Sequence, residues 1–165
     1  MFMMRLAKVA MVGSAALFAL LVTFNNLVDY PTNYTFVRHT LSMDTTFPGN
    51  QLMGRAINSA MLWTIAYWLI ILAEAATGLL LALATFHLAR AVRASAARFN
   101  AAKQFVALGV GFGFLLWFTG FTVVGGEWFA MWQSKDWNGQ APAFRFYMTL
   151  LAILIFVNQP DGEPA

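Results

Sequence analysis

The sequence predicts an all-α membrane protein of four transmembrane helices, with both termini cytoplasmic and a small aromatic-rich cap on the non-cytoplasmic side. Three observations predict it. Of 165 residues, 60% are hydrophobic and only 10% charged, against roughly 25% charged residues in soluble domains. Four apolar runs are each long enough, with their flanks, to cross about 30 Å of hydrocarbon. Six of the ten Lys and Arg residues fall in the N-terminus and in one loop, the asymmetry that marks cytoplasmic segments. The whole chain, 1–165, reads as a single transmembrane domain.

Composition also excludes function classes. The net charge of +3 is accounted for by this loop distribution rather than by a basic soluble face, so a nucleic-acid partner is not expected. The chain has no cysteine, which removes thiol-disulfide exchange, thiolate catalysis, iron–sulfur ligation and Cys-type zinc sites.

In chain order, Met1 to Lys8 is a basic leader carrying Arg5 and Lys8. The first span follows at about 9–28, retained because no small-residue cleavage site follows it. The first outer loop, 29–56, has turn signals at Tyr30-Pro31 and Pro48-Gly49. Within it an amphipathic helix capped by Asn33 would place Phe36, Val37, Thr40 and Leu41 on one side; an irregular loop is the competing expectation. The second apolar run, Ile57 to Leu88, would measure roughly 48 Å as one helix, more than the bilayer core. The span is therefore set at 60–88, with its lipid-buried part at about Tyr67 to Leu88 and the first turns projecting outward.

The cytoplasmic loop 89–104 carries Arg90, Arg93, Arg98 and Lys103 and no acid. The third span, 105–124, has Gly109, Gly113 and Gly120 near one face, which permits close helix contact. After the second outer loop, 125–141, the fourth span opens at Pro142 and runs to about residue 158. The remainder, Asn158 to Ala165, reads as a frayed polar tail.

With this topology all six tryptophans fall on one side: Trp63 and Trp68 in the second span, Trp117 in the third, and Trp128, Trp132 and Trp137 in the outer loop. An aromatic belt populates both interfaces, so a one-sided outer cluster suggests recognition as well as anchoring. If Gly125-Gly126 ends the third span, Trp128 and Trp132 share a face of a short interfacial helix. The segments 29–66 and 124–140 are expected to pack together above Glu74.

Two separated motifs carry a family resemblance. Met43-Asp44-Thr45-Thr46-Phe47-Pro48-Gly49-Asn50 in the first outer loop, with Gly125-Gly126-Glu127-Trp128-Phe129 and Trp132-Gln133-Ser134 in the second, resembles an uncharacterised proteobacterial family of predicted small integral membrane proteins. The resemblance implies a bacterial inner (cytoplasmic) membrane and four spans. It implies no activity, cofactor or catalytic residue.

Glu74 is the one acid inside a span. An ionised carboxylate in hydrocarbon is costly, so it must face the bundle, be protonated or be paired; a proton relay, polar ligand binding and a structural hydrogen bond to a neighbouring helix are all open. Arg145, near the start of the fourth span where the helix dipole disfavours a cation, calls for an acidic partner, with Glu127 first, Asp136 next and Glu74 third. His39 and His87 lie at opposite ends, which disfavours bis-His haem. No metal site and no cofactor are expected, although lipid or quinone would suit the outer aromatics. A soft-metal site using His39 and Met43 is outweighed by methionine's ordinary role as core filler.

No catalytic signature is present, so no enzyme activity is expected. The leading expectation is a non-catalytic accessory or assembly subunit that docks on a larger inner-membrane complex through its aromatic spans and periplasmic cap, or else self-associates as a homo-oligomer. The alternatives are a small oligomeric proton- or ion-coupled transporter or channel component using Glu74, and a lipid or quinone binder.

Overall fold

A computed structural model describes residues 2–162 of the chain. The helices are α1 (Phe2–Val28), α2 (Tyr30–Ser42), α3 (Ala60–Ala91), α4 (Ala96–Ala102), α5 (Gln104–Phe114) and α6 (Gln140–Asn158). A π-helical segment, Leu115–Trp128, continues α5. Four helical stretches are long and apolar enough to cross a membrane: Phe2–Val28, Ala60–Ala91, Ala96–Trp128 and Gln140–Asn158. The fold is therefore the expected all-α bundle, with no strand among the described residues.

Each long helix buries a narrow seam. In α1 the buried residues are Arg5, Lys8, Val12, Ala15, Ala16, Ala19, Thr23 and Asn26, a spacing of alternating threes and fours. In α3 they include Tyr67, Ile71, Glu74, Gly78, Leu81, Ala84, Leu88 and Ala91, with the same alternation. A 3.5-residue period is the pattern of helices packed side by side at a small crossing angle. The rest of each helix surface is apolar and exposed, as at Leu17, Phe24, Leu69, Leu79 and Phe112, which suits a lipid-facing surface rather than an aqueous one.

Small residues set the spacing. A Cβ on Gly78 would lie 2.7 Å from a Leu20 methyl and 3.0 Å from the Leu20 backbone nitrogen, so α1 and α3 meet there almost backbone to backbone. Gly109 and Gly113 make the same kind of approach to Leu81 and Thr77 of α3, with Leu150 of α6 also against Gly113. Gly120 does not: beyond its own helix residue Leu116, nothing stands where its Cβ would be. The expected glycine face holds at two positions of three.

Four local expectations are corrected. The helix in the first loop starts at Tyr30 rather than after Asn33, because Pro31 supplies the first-turn geometry; the Asn33 side chain is turned inward instead. The third span does not end at Gly125-Gly126. The wider π turn carries it to Trp128, closing with a bond from Phe129 N to Val124 O of 3.0 Å. The chain then reverses through Ala130 at φ 51°, so Trp128 and Trp132 sit on either side of a turn and share no helix. Finally, Arg5 and Lys8 are not a free basic leader, and residues 159–162 are not frayed; they are tied to each other. Residues 163–165 of the expected tail lie outside the described residues.

That tie closes one end of the bundle. Lys8 and Lys103 both place their ammonium groups 2.6 Å from Oδ2 of Asp161, and both donate to the Gln159 carbonyl. Asn100 brackets the same residue, donating to the Asp161 carbonyl and accepting from its N–H. The Arg5 guanidinium donates to the carbonyls of Val92, Ala94 and Gly162 and lies over the Phe99 ring. The carbonyls beyond the C-terminus of α3 carry the negative end of its dipole, which favours a cation there. Both ends of the described chain and the 92–103 connection therefore meet at one end of the bundle, the termini end. The opposite end carries the loops 43–59 and 129–139.

Asp161 is 5% exposed. Burial alone would raise its carboxyl pKa, but the hydrogen bonds and charges of Lys103 and Lys8 outweigh burial and hold it below the ordinary carboxylate range. A folded pKa below the unfolded value gives stability that is complete above the unfolded pKa and is lost as pH falls through the folded one. Asp161→Asn should therefore destabilise the protein in detergent by about 3–5 kcal/mol, the cost of removing one partner from a buried ion pair. Thermal unfolding should show the deficit undiminished between about pH 7 and pH 5 and narrowing only below about pH 4. A deficit that closes near neutrality would contradict this assignment.

Candidate functional site

The loop end holds a cavity of roughly 490 Å3 bounded by α1, α2, α3, the π segment and the start of α6. Glu74, 2% exposed, lies on its wall. The seam of α3 points Glu74 at α1, where Asn26 Nδ2 donates to Glu74 Oε2 at 2.7 Å. Asn26 Oδ1 accepts from Asn33 Nδ2 at 2.6 Å, and the Tyr67 hydroxyl donates to the Asn26 carbonyl at 3.0 Å. A continuous hydrogen-bonded path thus runs from α2 through α1 to the carboxyl of α3.

Aromatic faces of Phe36, Tyr67, Trp117, Phe121 and Phe146 form the walls, and Asp136 and Asn138 also line the cavity. No Lys, Arg or His does. A second, almost wholly apolar cavity of roughly 210 Å3 shares Phe36, Val37, Ile70 and Phe121 with the first. On its wall the hydroxyl of Thr40 is buried with no hydrogen-bond partner among the described residues.

The sequence-derived candidates disperse. Glu74 is inside the bundle, but its partner is Asn26 of α1 and not the glycine face of the third span, which meets α3 at Thr77 and Leu81 instead. Arg145 is exposed and has no acidic partner among the described residues. Its Nε approaches only the Ala141 carbonyl, at 3.4 Å. The expected clasp to Glu127, Asp136 or Glu74 is not formed, because Arg145 faces the groove between α1 and α6 beside Met11 and Phe18. Glu127 is exposed near the end of the π segment, and Asp136 lines the Glu74 cavity.

The six tryptophans do not form one cluster. Trp117 is buried against Phe18 and Phe146. Trp137 stacks on His39 at 4.7 Å, and Trp132 meets Phe47 edge-on. Trp128 lies under the Arg55 guanidinium, Trp63 donates to the Ile57 carbonyl, and Trp68 borders Tyr30. The indoles thus sit in separate surroundings, and only Trp117 reaches the Glu74 cavity.

The two loop segments do meet. Thr45 donates to Ser134 at 2.8 Å, Phe47 N donates to Gln133 Oε1, and Arg55 donates to the Trp128 carbonyl. Met43 packs with Phe129 and Ala130 in a small core. His39 contacts Asp44 at 2.9 Å, whereas His87 stacks on Phe105 toward the other end. No cluster of His, Asp or Glu suited to a metal occurs among the described residues.

Sequence reasoning missed Asn26, Tyr67 and the inward role of Asn33. The available signal was spacing: Asn26 stands three residues after Thr23 and seven after Ala19, on the seam that also carries Ala15 and Ala16.

Four apolar helices with an internal carboxyl and a small polar cavity define a small integral membrane protein. The chain matches the family described as "Predicted small integral membrane protein (DUF2165)" over residues 4–160, and it belongs to that family. No curated protein and no solved structure matches it.

The Asn26–Glu74 bond can be weighed directly. In membranes, interhelical polar pairs are worth about 0.5–2 kcal/mol, because the unfolded chain in lipid also finds partners. A double-mutant cycle of Asn26→Leu and Glu74→Leu, read by unfolding in detergent–lipid mixed micelles, should return a coupling in that range. Asn26→Leu alone should be the more harmful single change, since it strands Glu74 and Asn33 together. A coupling of zero would contradict the bond.

Proposed function

We propose that the protein is a non-catalytic, multi-pass protein of the bacterial inner membrane, with both termini cytoplasmic, that binds a small lipophilic cation or protonated amine in the Glu74 cavity. The observation that carries this reading is the lining: two carboxyl groups, five aromatic side chains and no basic residue. Carboxylates and aromatic faces both attract cations, most strongly away from water. The volume is in the range of small-molecule sites. A cationic ligand would also offset the cost of an ionised Glu74 in the bundle. The apolar cavity beyond Phe36 and Phe121 suits a ligand with a hydrocarbon tail.

The side of the membrane is argued from charge. Arg90, Arg93 and Arg98 are all exposed toward the termini end, as expected of a cytoplasmic face; the loop end is then periplasmic. A coupled transporter or channel component is the second reading, favoured by a carboxyl buried within the bundle on the wall of a cavity. The accessory-subunit reading rests on exposed side chains such as Phe24, Phe112 and Phe144, which lipid covers equally well, and so carries less weight. A quinone would leave both carboxyls unmatched.

Tetraphenylphosphonium and tetraphenylborate share a shape and differ in charge, which makes them a direct test. Equilibrium dialysis of the full chain in neutral detergent should show saturable binding of the cation alone. Glu74→Gln should weaken it about tenfold or more, the scale of a desolvated charge contact. Equal uptake of both ions, or undiminished binding by a folded Glu74→Gln protein, would overturn the reading.

A further inference from the structure

The termini end carries a second cavity of opposite chemistry. It lies between the end of α3 and the α4–α5 connection, measures roughly 340 Å3, and draws all its polar side chains from His87, Arg90, Arg98 and Gln104. None of these is an acid. Of the three nearby buried cations, Lys8 and Lys103 share Asp161, and Arg5 is held by backbone carbonyls. Arg90 and Arg98 have no acidic partner among the described residues. Arg90 leans over Phe86, and the imidazole of His87 stacks on Phe105 at 4.2 Å, so the apolar walls orient two of the donors.

Directly along the same helices the surface turns apolar. Leu83 is one turn from His87 on α3, and Leu108 and Phe112 follow Phe105 at helical spacing on α5; all three are exposed. A pocket with two arginines and no acid in its lining, above an apolar strip between two spans, fits a molecule with an anionic head and hydrocarbon chains. Basic pockets between transmembrane helices recognise anionic lipid headgroups in this way. We propose that the cavity lined by His87, Arg90 and Arg98 binds the phosphodiester headgroup of an anionic phospholipid, its acyl chains lying over Leu83, Leu108 and Phe112. The site is independent of the Glu74 cavity, which sits toward the other end of α3.

The full chain in neutral detergent, titrated separately with phosphatidylglycerol and phosphatidylcholine and read by native mass spectrometry, tests this. The expected result is a one-lipid adduct with phosphatidylglycerol at concentrations that give none with phosphatidylcholine. The double variant Arg90→Gln/Arg98→Gln should lose about thirtyfold in phosphatidylglycerol affinity, and Arg93→Gln, outside the cavity, should retain it. An unchanged unfolding temperature shows that the double variant is folded; if it is not, His87→Gln and Gln104→Leu singly take its place, each expected to weaken the adduct. Equal adducts with both lipids, or equal loss in Arg93→Gln, would overturn the proposal. Displacement of phosphatidylglycerol by millimolar inorganic phosphate would overturn it too, by showing a free-anion site.

Discussion

The hydrogen bond from Asn26 to Glu74 is the contact on which the loop half of the bundle depends. In hydrocarbon no water is available to a stranded polar group, so a carboxyl on a buried seam must find its partner within the protein. Glu74 meets this demand through α1, which fixes the rotation of α1 against α3 as well as their separation at Gly78. Asn26 then uses its remaining side-chain oxygen for Asn33 and its carbonyl for Tyr67. One residue thereby orients α2 immediately after the turn at Asp29. With α2 so placed, Phe36 and Val37 become walls of both cavities. The pocket is a consequence of satisfying one carboxyl.

The two ends of the bundle solve the same problem with opposite charges. At the termini end, Asp161 is the one acid among the described residues that meets the buried cations, and backbone carbonyls and the Asn100 side chain supply further acceptors. Those contacts hold Arg5, Lys8 and Lys103 inside the bundle end and leave Arg90, Arg93 and Arg98 at least partly exposed. At the loop end the polar lining of the cavity comes from amides, the Tyr67 hydroxyl and the carboxyls of Glu74 and Asp136. A chain with a modest net charge is thus strongly polarised along its bundle axis, which bears on what each end can bind.

Much of this architecture was legible in the sequence, because length and hydropathy follow from the thickness of the bilayer rather than from packing detail. The four spans, the interior carboxyl and the close approach at Gly109 and Gly113 are all of that kind. What was not legible depended on rotation and on contacts distant in sequence. Asn26 sits in an apolar run and reads as a tolerated polar residue until α3 is set beside it. Arg145 was paired with Glu127 on sequence proximity and helix-dipole logic, but its azimuth on α6 sends it into the groove by α1. Membership of one side of the membrane groups the tryptophans, whereas their rings contact separate segments. Lys8 and Asp161, far apart in the chain, meet only after four helices have closed.

The central claim is that Glu74, held by Asn26, is the group that responds to a cation entering the cavity. Difference infrared spectroscopy of the full chain in bilayers reads carboxyl groups directly, and Glu74→Gln separates the Glu74 band from that of Asp136. Adding tetraphenylphosphonium should perturb one carboxyl band, absent in Glu74→Gln and displaced in frequency in Asn26→Leu. A band that ignores the cation, or that persists in Glu74→Gln, would contradict the account.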